Sequence, residues 1–370
     1  MKASWGKMQT VLSFPKQNIA AALVLCIALI ILFVGTTSRV RYSHGATNVD
    51  NVFSPDDVDD FLHYNRSIWS KGWRELVKRY NPTVEDTYFD LDGGHRPISA
   101  ENMMNLYRGA QGVVWISNAG QPPGYEVVRF AENVLSENLI RRNFVLITTD
   151  GDLSMPGGLR PSIVQTILNH PNVLRWYTQN YDGTVVHAKL RRVPIGLSLH
   201  DRHPGVSGPQ GKLDIIRHAA ENARPWPERE SKILVDVLSK THFVRKEIES
   251  MVLSNPRDHV HRMTQRIDLR AAMRHYASYK FAASPRGNGL DCHRTWELLL
   301  LGTVPIIQTS SLDPLFKALP VVIIKDWSEI LDIANVKKWI SQIERQRSLY
   351  SALNQSKAHD DFVTCTRFLV

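Results

Sequence analysis

Apolar and polar positions alternate along this chain in two distinct periods, and their order predicts the architecture. Val113–Ser117, Asn143–Thr149, Val173–Thr178 and Arg192–Ile195 read as short buried strands. Between them, Val127, Phe130, Ala131, Val134 and Leu135 recur at helical spacing within Tyr125–Leu139, and Ser162–Leu168 reads as a second helix. Arg217–Arg229, ending in Arg-Pro-Trp-Pro, looks like a linker. The alternation then restarts: strands at Lys232–Leu238, Tyr279–Ser284, Thr303–Gln308 and Val321–Lys325, helices at His242–Leu253, Arg266–Tyr276 and Asp291–Leu301. Gly302 stops the last of these helices, and a mostly helical tail runs from Trp327 to Leu353. Two βα series on either side of a linker predict an α/β protein of two Rossmann-like domains facing a cleft.

The N-terminus has another pattern. Ile19–Val34 is unbroken apolar sequence, extended by Gly35-Thr36-Thr37 to roughly 28 Å of helix, enough for a thin bilayer. The competing reading is a cleaved signal peptide; a long preceding region and no A-x-A-like site after the run favour an anchor. Lys2, Lys7 and Lys16 precede the span and Arg39 and Arg41 follow it, a bias towards a cytosolic N-terminus. The expected organisation is a cytosolic tail (1–17), a transmembrane signal-anchor (18–37) and a stem with irregular structure (38–95). A first Rossmann-like domain (96–227), a second (228–330) and a helical tail (331–370) follow. This places the protein as single-pass type II in the Golgi or endoplasmic reticulum membrane, with both domains lumenal. Sequons at Asn65 and Asn354 agree with lumenal exposure. There Cys292 and Cys365 can pair, or both remain buried thiols.

Composition narrows the class. With 43% apolar and 22% charged residues, the 370-residue chain is neither disordered nor polytopic. The 45 Lys+Arg against 36 Asp+Glu give a net charge of +9, yet no basic block suggests a nucleic-acid surface. Three cysteines exclude a disulfide-stapled miniprotein.

The densest chemistry is Tyr279–Glu297, a strand, a Gly-rich turn and a helix start. Gly287 and Gly289 let the backbone approach a ligand and take positive φ, with Asn288 between them. Arg286 and Arg294 can each hold a diphosphate in bidentate fashion. His293, Arg294 and Glu297 share one helix face, and a carboxylate one turn from a phosphate site can accept both hydroxyls of a ribose. Asp291, expected as the N-cap, argues against an anion directly over the cap. The bland reading is a helix start with a surface Arg294–Glu297 pair.

Here SPRGNGLDCHRTWELLLLGTVPII, followed by LPVVIIKDWSEI, resembles the nucleotide-sugar domain of exostosin-like glycosyltransferases. The matching residues are Ser284-Pro285, Gly287, Gly289, Arg294, Glu297, Gly302 and Pro305-Ile306; Trp176–Gly183 and Arg191–His200 resemble the segment that closes the family's first domain. The resemblance implies a GT-B type enzyme with two Rossmann domains. A nucleotide-diphosphate sugar is its donor and a glycan or glycoprotein its acceptor. Arg294 would contact the diphosphate and Glu297 the ribose, with Arg245 a further diphosphate cation.

In such a site preorganised cations stabilise the leaving diphosphate in place of a metal, so no obligatory cofactor or metal is expected. Inverting chemistry needs a base for the acceptor hydroxyl; Asp150, Asp152, His200 and Asp201 are the candidates. The rival reading is a GT-A type enzyme whose Asp150-Gly151-Asp152 holds Mn²⁺ or Mg²⁺, though a turn after a strand also takes Asp and Gly for conformational reasons. Two non-transferase classes compete as well: a membrane-tethered, non-catalytic sugar-binding protein, and a sulfotransferase, for which no phosphate-binding loop is evident. Trp69, Trp73 and Trp115 are expected in the core, and His259 and His261 are not expected to hold a metal.

Overall fold

The computed structural model describes residues 72–81, 98–200, 203–238 and 240–354. The predicted span 18–37, Asn65, Trp69, Asp201 and Cys365 lie outside them. Asn354 closes the last helix, with the rest of its sequon also outside. No helix among the described residues is long and apolar enough to cross a membrane.

Two parallel sheets form the frame. Helices α1 (Arg74–Tyr80) and α2 (Ala100–Tyr107) precede the first sheet. That sheet consists of β1 (Gly112–Ser117), β2 (Phe144–Thr149), β3 (Val173–Thr178) and β4 (Leu190–Arg192), in chain order. β1 and β2 are buried along their whole length, as expected of parallel strands covered on both faces. Helix α3 (Tyr125–Phe130) runs into a π turn over Ala131–Leu135, and α4 (Pro161–Asn169) precedes β3.

The second sheet has the order β6-β5-β7-β8-β9, all parallel. Its strands are β5 (Glu230–Val235), β6 (Val260–Arg262), β7 (Tyr279–Ala283), β8 (Val304–Gln308) and β9 (Val322–Ile324). Around it lie α5 (Gly208–Glu221), α6 (Phe243–Ser254), α7 (Leu269–Ala277), α8 (His293–Leu300) and α9 (Ile333–Asn354). The chain leaves β5 in one direction to β6 and returns on its other side to β7. This is a doubly wound order whose switch point lies at the carboxyl ends of β5 and β7.

Three expectations are corrected. The expected linker Arg217–Arg229 is helix α5 through Glu221, because Leu213, Ile216 and Ala219 bury one face. The expected irregular stem contains α1, whose Leu76 and Val77, with the preceding Trp73, pack on Trp115 and Tyr177 of the first sheet. A strand, β6, stands where the pattern predicts none. Trp73 and Trp115 are core residues, 1% exposed each, as expected.

The described residues all fall in one compact unit. One hydrophobic core runs through both sheets: it joins Val114 and Leu146 to Leu213 and Ile216, and on to Tyr276, Trp296 and Phe316. This cluster draws side chains from both halves, so they are joined by hydrocarbon as well as by loops, and α5 packs on α7 and α8 within the second half.

Candidate active site

The switch point of the second sheet collects the charged residues. Asp236 follows β5 directly, and Ser284 follows β7. Ser284 Oγ and Thr295 Oγ1 share a buried hydrogen bond of 2.9 Å, which ties the start of the glycine turn to α8. Arg245, in the first turn of α6, donates to the carbonyls of Arg286 (2.8 Å) and Pro285 (3.2 Å). These bonds fix the turn, while carbonyl partners orient the guanidinium without neutralising it. A Cβ on Gly287 would stand 3.3 Å from Arg245 Nη2 and 3.4 Å from Thr241 Oγ1, contacts that a small shift of the guanidinium relieves, and neither Gly287 nor Gly289 adopts the expected positive φ.

Helix α8 starts at His293, with Cys292 as N-cap and no side-chain capping bond. Asp291 is therefore not the cap. Its buried carboxylate accepts from the Ile195 N–H (2.8 Å), from Trp296 Nε1 (2.9 Å) and from the Cys292 N–H (2.8 Å). Burial pushes its pKa up to about 6, against the lowering effect of those three donors.

The first turn of α8 presents His293, Arg294 and Glu297 together to a cleft of about 990 Å³, which Arg245 also lines. Arg294 Nη2 lies 2.5 Å from Asp236 Oδ2, and its guanidinium carbon 5.5 Å from the centre of the Tyr276 ring. Tyr276 donates its hydroxyl to the same Asp236 oxygen (2.5 Å). Burial opposes the Arg294 charge, but Tyr276 and Asp236 outweigh it and raise its pKa; burial likewise raises that of Tyr276. Glu297 Oε1 is 3.6 Å from Lys212 Nζ, with both side chains buried. A guanidinium carries five donors, so Arg294 keeps a second edge for a ligand. Glu297 keeps a second oxygen for one.

Arg286 is placed elsewhere. It lines a separate cavity of about 410 Å³ on the other side of the turn and donates to the carbonyl of Asn288 (2.9 Å). Burial lowers its pKa. Cys292 lines both spaces, so the turn is a partition with Arg245 on one side and Arg286 on the other. The His242 imidazole between them has a lowered pKa, first from burial and then from Arg286 and Arg245.

The base candidates adjoin this partition from the first half. Asn288 Nδ2 donates to Asp152 Oδ2 (3.1 Å). The rings of His200 and His293 meet edge to face at 5.3 Å, and His293 Nδ1 is 2.8 Å from the Gly196 carbonyl oxygen. Asp150 adopts a left-handed backbone (φ 67°), which Asp tolerates in a turn. Gly289 packs against Asn180, whose Oδ1 accepts from the N–H groups of Leu290 (3.0 Å) and Asp291 (3.3 Å). Among the described residues no cluster of three His, Cys, Asp or Glu side chains is arranged to hold a metal ion.

Sequence reasoning missed Asp236, Tyr276 and Lys212. Asp236 carries a usable signal, as an acid directly after a strand in a doubly wound sheet. Tyr276 and Lys212 carry none, because their roles arise only when α7 and α5 pack beside α8.

No protein-family model matches the chain, and no curated protein matches it in sequence. Two solved structures share a distant likeness. The alpha,alpha-trehalose 6-phosphate synthase of Burkholderia multivorans is 10% identical, with a TM-score of 0.35, over 70% of this chain and 75% of that one. The catalytic domain of starch synthase IV from Arabidopsis thaliana, bound to ADP and acarbose, is 12% identical, with a TM-score of 0.31, over 73% and 71%. At this level neither structure identifies the chain's function.

Proposed function

We propose that this protein is an exostosin-like glycosyltransferase that moves a sugar from a nucleotide-diphosphate sugar to a glycan or glycoprotein acceptor. The observation that carries the reading is the joint presentation of Arg294 and Glu297 to the cleft at the switch point of the second sheet. The nucleoside occupies that cleft, with a ribose diol on the second oxygen of Glu297. The diphosphate lies along the partition, between the outer edge of Arg294, Arg245 and Arg286.

Breaking the glycosidic bond to the diphosphate builds negative charge on the leaving oxygen. Cations already oriented by carbonyls and by Asp236 meet that charge without reorganising, which lowers the barrier. These arginines supply the stabilisation that a metal gives elsewhere, so the reaction as proposed has no obligatory divalent ion. Asp152 and His200 border the partition on the acceptor side. Either can take the proton of the acceptor hydroxyl if the reaction inverts configuration. The apolar run 18–37 and its flanking charges support a type II anchor in a Golgi or endoplasmic reticulum membrane, with this site lumenal.

The test is calorimetric titration of UDP and GDP into the full chain and its Arg294→Ala and Glu297→Gln variants. Binding of one nucleotide to the parent, weakened at least about 100-fold in Arg294→Ala and about tenfold in Glu297→Gln with circular dichroism unchanged, is expected. A folded Arg294→Ala variant that binds as the parent does overturns the assignment. Slow hydrolysis of bound sugar nucleotide separates a transferase from a protein that only binds it.

A further inference from the structure

We propose that the cavity of about 410 Å³ beyond the partition is the subsite for the donor's sugar ring, with Phe243 as its stacking platform and a neutral hexose or pentose as its occupant. The inference rests on the nucleotide-sugar reading of the larger cleft. Phe243 is the first residue of α6 and is 68% exposed at the edge of this cavity. An aromatic side chain held so open loses most of the stabilisation that burial gives it. The ring nevertheless has a neighbour. The preceding His242 caps α6 through Nδ1, which accepts from the Val244 N–H (3.3 Å), and its ring lies 4.4 Å from that of Phe243, tilted by 34°.

The rest of the lining suits a pyranose or furanose. Ile307 and Phe316 give an apolar floor, while Thr309 and Ser310 contribute hydroxyls from the loop after β8. Hydroxyls both donate and accept, as sugar hydroxyls do. The exposed carboxylate of Glu247, one turn along α6 from Phe243, adds an acceptor and disfavours an anionic sugar. Position fits as well. Arg286 lines this cavity and Arg245 the larger cleft, with Cys292 common to both, so a diphosphate across the partition has one end in each space. Leu290 of this lining and Ser311, next to Ser310, touch the first half of the molecule: Ser311 Oγ donates to the Tyr181 carbonyl (2.5 Å), and Leu290 N–H to Asn180. A sugar held there has its reacting carbon beside the half that carries Asp152 and His200.

The experiment compares free UDP and GDP with UDP-glucose, UDP-galactose, UDP-xylose, GDP-mannose and GDP-fucose by calorimetry, on the full chain and on Phe243→Ala. Phe243 is exposed, so its truncation leaves the fold intact. The expected result is about a tenfold weaker binding of the preferred sugar nucleotide, with the matching free diphosphate within about twofold of the parent. Glu247→Ala shifts the same pair in the same direction by a smaller factor. An equal loss for the free diphosphate assigns Phe243 to the nucleobase and overturns the proposal, as does unchanged binding of both. If no probe binds the parent chain, the reading of the larger cleft falls, and this subsite falls with it.

Discussion

The carboxyl ends of the two sheets obey the same topological rule but carry opposite chemistry. At the first sheet the buried polar groups are neutral and mostly bonded to one another, and its acids, Asp150 and Asp152, stand towards the surface. Thr148 and Thr178 share a hydroxyl bond of 2.8 Å; Trp176 Nε1 and Trp115 Nε1 donate to Thr148 and Thr149; and Gln179 and Asn180 both donate to the Gly151 carbonyl. Asn118 is the exception, its buried amide atoms having no partner. At the second sheet the groups are ionised and open on a cleft: Asp236 with Arg294, Lys212 with Glu297, and Arg245 on the turn. The strand ends of a parallel sheet offer a place, and the side chains decide whether it becomes a seal or a site. The neutral end even serves the charged one, since Asn180 fills the two N–H groups behind the glycine turn.

This contrast is open to direct attack. If the first sheet's end is a seal, Asn180→Ala strands buried N–H groups and lowers the unfolding free energy by on the order of 3 kcal/mol, read from denaturant melts. Nucleotide affinity of the folded fraction then falls far less than in Arg294→Ala. A stability change below about 0.5 kcal/mol removes the seal from the description.

The second effect depends on pH. The pKa of Asp291 is raised from 3.8 to about 6 in the fold, so the native state holds a proton that the unfolded chain has lost. The penalty is complete above about pH 6 and is relieved as pH falls towards 4, on the order of 3 kcal/mol in full. Thermal melts between pH 7 and 4.5 therefore show a stabilising contribution on acidification that Asp291→Asn lacks. Identical pH profiles for parent and variant contradict the burial argument.

The smallest expected effect is none. EDTA leaves sugar transfer unchanged, because arginines meet the leaving group; strict dependence on Mn²⁺ would move the chemistry to the Asp150–Asp152 turn.

Legibility follows the same divide between local and assembled features. β1 and β2 are readable because a wholly buried parallel strand is written as a run of apolar residues. The turn and α8 are readable because Gly289, where a Cβ would collide with Asn180, and Gly302, at φ 71°, mark backbone constraints within a few residues. Helix α5 is hidden by Gly208, Pro209 and Gly211 at its start, and α1 by the polar sequence around it. The Asp236–Tyr276–Arg294 and Lys212–Glu297 contacts join residues from separate elements, so no window of sequence contains them. Arg286 and Arg294, close in the chain and therefore expected at one pocket, stand on opposite sides of the turn.

The hydrocarbon that runs unbroken from Met103 to Leu319 also limits how substrates arrive. Parting the two halves widely would expose apolar side chains of this shared core to water. On the function proposed above, entry and exit would then fall to the rims of the cleft rather than to a wide parting of the two halves.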